Sequence, residues 1–437
     1  MDFRIFHLTS RWNSFNRLLR TRSYRFQQST YKGIKPFRGF VIKSSIIPAG
    51  KQQVFGYLGL GLVTIGIWWQ YYPHNPYPPG VSKYLRNASW QEIKTKDFKK
   101  SIQFYTDALN ECLALGYDPV DEKVTGIEIK IGEMFEKLNM KQEETDVYRK
   151  LLTKLYNAIK QPDSESRDKK LLIKRDLSVA IKMVENMEAT EEVKKSILMK
   201  HINLVQDEIL TDSPELEDTI KKTNESFFVD LKNKDYDSLM AKLNKSSKVF
   251  ESFKEEFIVS RDLFTEICTN INDIDNAIHS KMITIGWMAV LGLDREKILM
   301  SQANLASLMY MKAENIESHI YHLQKNNNVE RNQFNIKNLL ERYNNILNLS
   351  EKYYQTVLER SKYSRVHFPV GGEGDITLLQ ARLLSMHGLG VIKLHKGDIP
   401  SANKILLETK ALAIKYNFID VQNACDNELQ TIAKISV

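Results

Sequence analysis

Nineteen consecutive residues without a charge, Val54–Tyr72 (VFGYLGLGLVTIGIWWQYY), constrain this chain more than any other feature. As a helix they cover about 28 Å at 1.5 Å per residue, close to the roughly 30 Å hydrocarbon core of a bilayer. A buried helix of a soluble domain is better matched by an apolar run of about 10–14 residues. The stretch is therefore predicted to be a single transmembrane helix, bounded at residues 52–72.

Charge divides sharply on its two sides. Residues 1–51 hold eleven Lys or Arg and one acid, Asp2. Taking these from the chain totals of 62 bases and 54 acids leaves 51 against 53, so the body is near neutrality and the net +8 belongs to the N-terminal arm. A basic nucleic-acid footprint on the body is thereby excluded.

In the arm, Arg4, Arg11, Arg17, Arg20, Arg22 and Arg25 alternate with Ser and Thr, and Ile5, Leu8, Trp12, Phe15 and Leu19 fall near one helical face. An Arg-rich, Ser-containing, acid-poor amphipathic N-terminus is the pattern of a mitochondrial presequence. Residues 1–48 are thus read as a presequence and a basic matrix-side arm. The flank before the span carries Arg38, Lys43 and Lys51, whereas Pro73–Val81 carries no basic residue. The positive-inside tendency then keeps the N-terminus in the matrix and sends the C-terminal body into the intermembrane space.

Within the span, Gly56, Gly59, Val63 and Gly66 share an arc of about 80°, a stripe on which a partner helix could approach closely. Trp68, Trp69, Tyr71 and Tyr72 form an aromatic belt at the exit. Residues 73–82 follow, with PHNPYPPG (Pro73–Gly80) too proline-rich for helix and expected to be a stiff spacer.

From Lys83 onward there are five prolines and eleven glycines, about 4.5% against roughly 12% in average proteins. Such scarcity favours long helices, and an all-α body is expected over residues 83–437. In Lys94–Cys112, Phe98, Ile102, Tyr105, Leu109 and Cys112 follow a helical stripe. Asp97, Phe98, Ser101, Ile102, Tyr105, Ala108 and Leu109 resemble the second helix of a tetratricopeptide repeat, with a weaker first helix at Lys83–Ile93. A second unit pairs Ile127, Ile131, Gly132 and Phe135 with Tyr148, Leu151 and Leu152, with Glu144 where a small residue is expected. A third places Leu389, Gly390, Gly397, Asp398, Ile399 and Ala402 at the family's spacing. These resemblances imply a divergent tetratricopeptide-like α-solenoid of helical hairpins. Between the units, Leu171–Met187 and Glu191–Leu210 read as amphipathic helices. Leu239, Leu243, Phe250, Phe257 and Phe264 read as one long stripe, and the stretch around Trp287, Leu291, Leu305 and Tyr310 as another hairpin. Phe368–Asp375 reads as a break.

No motif for catalysis is found: HExxH, GxSxG, P-loop and dinucleotide-binding glycine patterns do not occur. Cys112, Cys268 and Cys425 are far apart and lack metal or disulfide spacing. His319 and His322 have no third ligand at clear spacing. Acid pairs such as Glu143–Glu144 and Glu255–Glu256 read as solvated helix faces. Catalytic residues, cofactors and metals are accordingly not expected.

The Trp-Tyr exit followed by YPHNPYPPGVSKYLR (Tyr72–Arg86), the Asp97–Leu109 repeat and HFPVGGEGD (His367–Asp375) resemble a fungal tetratricopeptide-containing adaptor of the mitochondrial inner-membrane i-AAA protease. The resemblance implies a non-enzymatic adaptor whose body binds unfolded or misassembled clients in the intermembrane space and helps deliver them to the AAA protease, together with a second membrane adaptor. A respiratory-complex assembly factor and an outer-membrane import receptor are the alternatives. The Arg-rich leader counts against the import receptor.

Overall fold

The computed structural model describes residues 77–161, 168–214, 216, 252–325, 329–362 and 373–435. The arm, the span with Gly56, Gly59, Val63 and Gly66, and most of the spacer lie outside the described residues. Within them no helix is long and apolar enough to cross a membrane. Leu239, Leu243 and Phe250 also lie outside, whereas Phe257 and Phe264 do not.

All regular structure among the described residues is helical: α1 Pro79–Trp90, a π-helical turn Gln91–Thr95, α2 Phe98–Ala114, α3 Glu122–Lys137, α4 Lys141–Lys160, α5 Lys169–Asn186, α6 Glu191–Asp212, α7 Lys254–Asn270, α8 Ile274–Val290, α9 Arg295–Lys325, α10 Val329–Lys362, α11 Glu373–His395, α12 Ile399–Lys415 and α13 Ile419–Ile435.

One local device ends and restarts many of these helices. A residue in the left-handed region closes the helix, and the next residue opens the following one. The closing residues include Lys96 (φ 54°), Asn139 (φ 56°), Asn272 (φ 59°), Gly397 (φ 78°) and Asn417 (φ 59°). After four of them the next N–H donates back five residues to the preceding helix: Met140 to Phe135, Asp273 to Cys268, Asp398 to Lys393 and Phe418 to Ala413, at 2.8–2.9 Å. This is the geometry that satisfies orphan carbonyls at a helix end. Asp97 and Asp398 then cap α2 and α12 by accepting from the N–H groups of Lys100 (3.1 Å) and Ser401 (3.3 Å). Asp168 caps α5 in the same way through Lys170 and Leu171.

The chain divides into two units at Lys130 and Ile131, within α3. In the first, α1 and α2 run antiparallel: Gly80 lies beside Glu111, and Ser101 Oγ donates to the Ala88 carbonyl at 3.0 Å. In the second, each helix from α4 to α13 packs on the next, α7 also packs on α5, and α9, α10 and α11 pack mutually. The core of this unit holds fully buried Tyr148, Phe257, Trp287 and Tyr354, with Phe257 and Trp287 edge to face at 5.3 Å.

Three expectations need correction. Helix α1 starts at Pro79, inside the stretch read as spacer, because proline's fixed φ and missing N–H suit the first turn of a helix. It ends at Trp90 in a π-helical turn rather than running evenly to Ile93. At the other boundary, Glu373–Asp375 belongs to α11 and not to the break. The length of α10, 34 residues, equals that of a whole tetratricopeptide repeat, so α9 and α10 depart from that repeat's dimensions.

Candidate functional site

The residues singled out in the sequence gather at hairpin crossings and turns. A Cβ on Gly390 would lie 2.7 Å from Leu406 Cδ2, so α11 and α12 approach there to a distance only glycine permits. Gly132 stands in the same relation to Tyr148 across α3 and α4. Both pairs are sixteen residues apart in sequence. Ala402 and Leu389 are buried beside the second crossing. In the first unit, Ser101, Tyr105, Ala108 and Cys112 are buried, while Phe98, Ile102 and Leu109 are half-buried, as is Phe135 in the second. Across the hairpin Tyr105 donates to Glu92 in the π-helical turn at 3.0 Å.

Glu144 corrects the view of the Glu143–Glu144 pair as a solvated face. It is buried and accepts from the Asn186 amide on α5 at 2.8 Å. Burial raises its carboxyl above the usual range, and the Asn186 hydrogen bond opposes that shift. At the place where a small residue is expected, a long polar one ties α4 to the end of α5.

Other polar groups inside the helix packing gave no sequence signal, because their partners lie on different helices. His201 Nδ1 on α6 and Asp176 on α5 are 2.7 Å apart and both buried, with Tyr156 edge-on to the imidazole. Burial raises the Asp176 carboxyl, and the hydrogen bond to His201 opposes it. Buried Arg261 on α7 donates to Thr284 (3.1 Å) and Gln206 (3.2 Å), and Lys281 bridges to Asp262 at 2.7 Å.

Farther along, the Tyr310 hydroxyl is hydrogen-bonded to His395 Nε2 at 2.7 Å. Burial pushes His395 down to about 4 and nearby Glu314 up to about 8, with the Tyr310 hydrogen bond opposing the latter shift. On the adjoining face Glu351 accepts from Lys393 and Lys396, which hold it below its usual range against the opposite effect of burial. Apart from Glu314, whose partner Tyr310 is on its own helix, these groups join one helix to another. Among the described residues, no three His, Cys, Asp or Glu side chains are grouped to hold a metal. His319 and His322 are both exposed on α9. The three cysteines are free and buried.

Comparison with known proteins gives the arrangement a context. Residues 161–293, which span α5 to α8 with the Asp176–His201 pair and Arg261, match the family model described as the MGR3 middle domain. Over 401 residues the chain is 30% identical to "Protein MRG3-like" of Saccharomyces cerevisiae, covering 85% of this chain and 86% of that protein. The chain belongs to the MGR3 family. A second MGR3-family relative from the same organism, "Mitochondrial inner membrane i-AAA protease supercomplex subunit MGR3", is 29% identical over 420 residues, covering 89% of this chain and 84% of the relative. The buried polar pairs of α5 to α8 therefore lie within the MGR3 middle domain.

Proposed function

We propose that this chain is a non-enzymatic, membrane-anchored subunit of a mitochondrial inner-membrane i-AAA protease supercomplex. Its body faces the intermembrane space, binds unfolded or misassembled proteins and helps deliver them to the AAA protease, beside a second membrane adaptor. The observation that carries this is the alignment of 84% or more of each MGR3-family relative, one of them named as a subunit of that supercomplex. The uncharged run Val54–Tyr72 and the acid-poor arm before it support the anchor, the presequence and the matrix-side N-terminus.

Helical hairpins with glycine crossings at Gly132 and Gly390 and aspartate caps at Asp97 and Asp398 support a tetratricopeptide-like solenoid, whose concave face could hold an extended or helical segment. Anchoring that face beside a membrane-bound protease raises its effective concentration there. The test separates delivery from chemistry. Mitochondria lacking the chain should degrade a misassembled membrane client several-fold more slowly, while the protease keeps full activity on a short unstructured peptide. Equal loss on both substrates, or on neither, would refute the adaptor role.

A further inference from the structure

The first hairpin carries a surface that its own packing does not explain. Trp90 is 58% exposed and Ile93 65% exposed, although both are large and apolar. On α1 the side chains of Lys83, Arg86, Asn87 and Trp90 fall within an arc of about 100°, opposite the buried Val81 and Ala88. The π-helical turn Gln91–Thr95 then adds a residue to the helical register and presents Ile93 and Lys94 to solvent. Such turns recur at functional positions.

Charge sharpens the point. Residues 77–100 carry six bases and two acids, whereas residues 101–437 carry 45 bases and 51 acids. Both acids of that stretch are engaged: Glu92 accepts from Tyr105 and lies 4.0 Å from Lys130, and Asp97 caps α2, while Asp107 and Glu111 lie farther along α2. An exposed Trp and Ile set among Lys83, Arg86, Lys94 and Lys96 is the composition of an interfacial anchor for an anionic bilayer. Six residues separate Tyr72 from Pro79, a reach of at most about 24 Å, so a chain leaving the bilayer at Tyr72 delivers α1 close to its surface.

We propose that the first hairpin docks on the anionic surface of the membrane that anchors the chain, through Trp90, Ile93, Lys83, Arg86 and Lys94. This rests on the transmembrane span proposed above. Docking fixes the hairpin itself at the bilayer, in place of a free swing on the tether.

The test uses the full-length chain in vesicles of phosphatidylcholine, with or without phosphatidylglycerol. The native thiols are buried, so a polarity-sensitive thiol dye can be placed on Ile93→Cys, and in a second preparation on Trp90→Cys. With phosphatidylglycerol the emission should shift to the blue and be quenched by brominated lipid. Both effects should be lost in neutral vesicles and in the K83E/R86E/K94E background. A dye that reports water in anionic vesicles overturns the proposal. So does a dye that is shielded but not quenched by brominated lipid, which would assign the patch to a protein partner. Extraction of the same vesicles at alkaline pH scores the span separately. A chain released by extraction ends the span reading, and the lipid quenching still decides the docking surface.

Discussion

A Cβ built on Gly132 would sit 2.4 Å from Cε1 of Tyr148, so α3 and α4 cross where no larger residue fits without displacing a fully buried ring. Two effects compete when Gly132 becomes alanine. Helix propensity favours the change by about 1 kcal/mol, while overpacking against a buried aromatic costs about 1–3 kcal/mol or more. Because the contact is with a rigid ring, overpacking wins, and Gly132→Ala should lower stability by about 1–2 kcal/mol. Tyr148→Leu in the same background should recover part of that loss. Chemical denaturation of the four variants of the cycle measures the coupling, and an additive cycle would contradict the contact.

Glu314 gives the fold a pH dependence with a definite sign. Its carboxyl is held protonated up to about 8 in the fold, against an ordinary value of 4.5. Between these values the folded chain binds more protons than the unfolded one, so its contribution is present at low pH and is lost as pH rises through about 8. The difference in unfolding free energy between the native chain and Glu314→Gln should therefore fall with rising pH across that window. Its slope should be at most about 1.4 kcal/mol per pH unit. A flat difference between pH 5 and 8 would show Glu314 ionised in the fold.

Lys96 occupies the left-handed region, at φ 54°, where Cβ crowding costs a non-glycine residue roughly 1–2 kcal/mol. Lys96→Gly should raise the stability of the first hairpin by about 0.5–1 kcal/mol after the added freedom of the unfolded chain is counted. Asn272→Gly should gain less, since asparagine tolerates this conformation. Thermal unfolding of each variant provides the comparison.

Leucine at Gly56, Gly59 and Gly66 should leave insertion intact and reduce recovery of membrane partners, if those glycines admit a neighbouring helix. Resistance to alkaline extraction reports the first property and co-purification the second. Unchanged recovery would reduce the span to a tether.

The helical periodicity of 171–187 was legible because one apolar face repeats regularly, and α5 follows it closely, whereas α6 keeps the expected span but leaves apolar Val193 and Met199 exposed. Asp97 and Asp398 stood out in the sequence only as positions of the repeat signature, and the structure adds that each caps the helix that follows it. Pro79 was misplaced because proline both breaks and begins helices, and only the residues after it decide which. Glu144 and the Asp176–His201 pair were not legible. Their partners, Asn186 in one case and each other across α5 and α6 in the second, are 42 and 25 residues away in sequence. The exposure of Trp90 left no signal in the sequence, because it goes with the π-helical turn beside it, which no local pattern announces.

Native purification of the chain from mitochondria in mild detergent tests the account most directly. The account predicts that the AAA protease is recovered with it. A preparation that retains the intact chain but lacks the protease would contradict the adaptor role and shift the case toward an assembly factor of another inner-membrane complex.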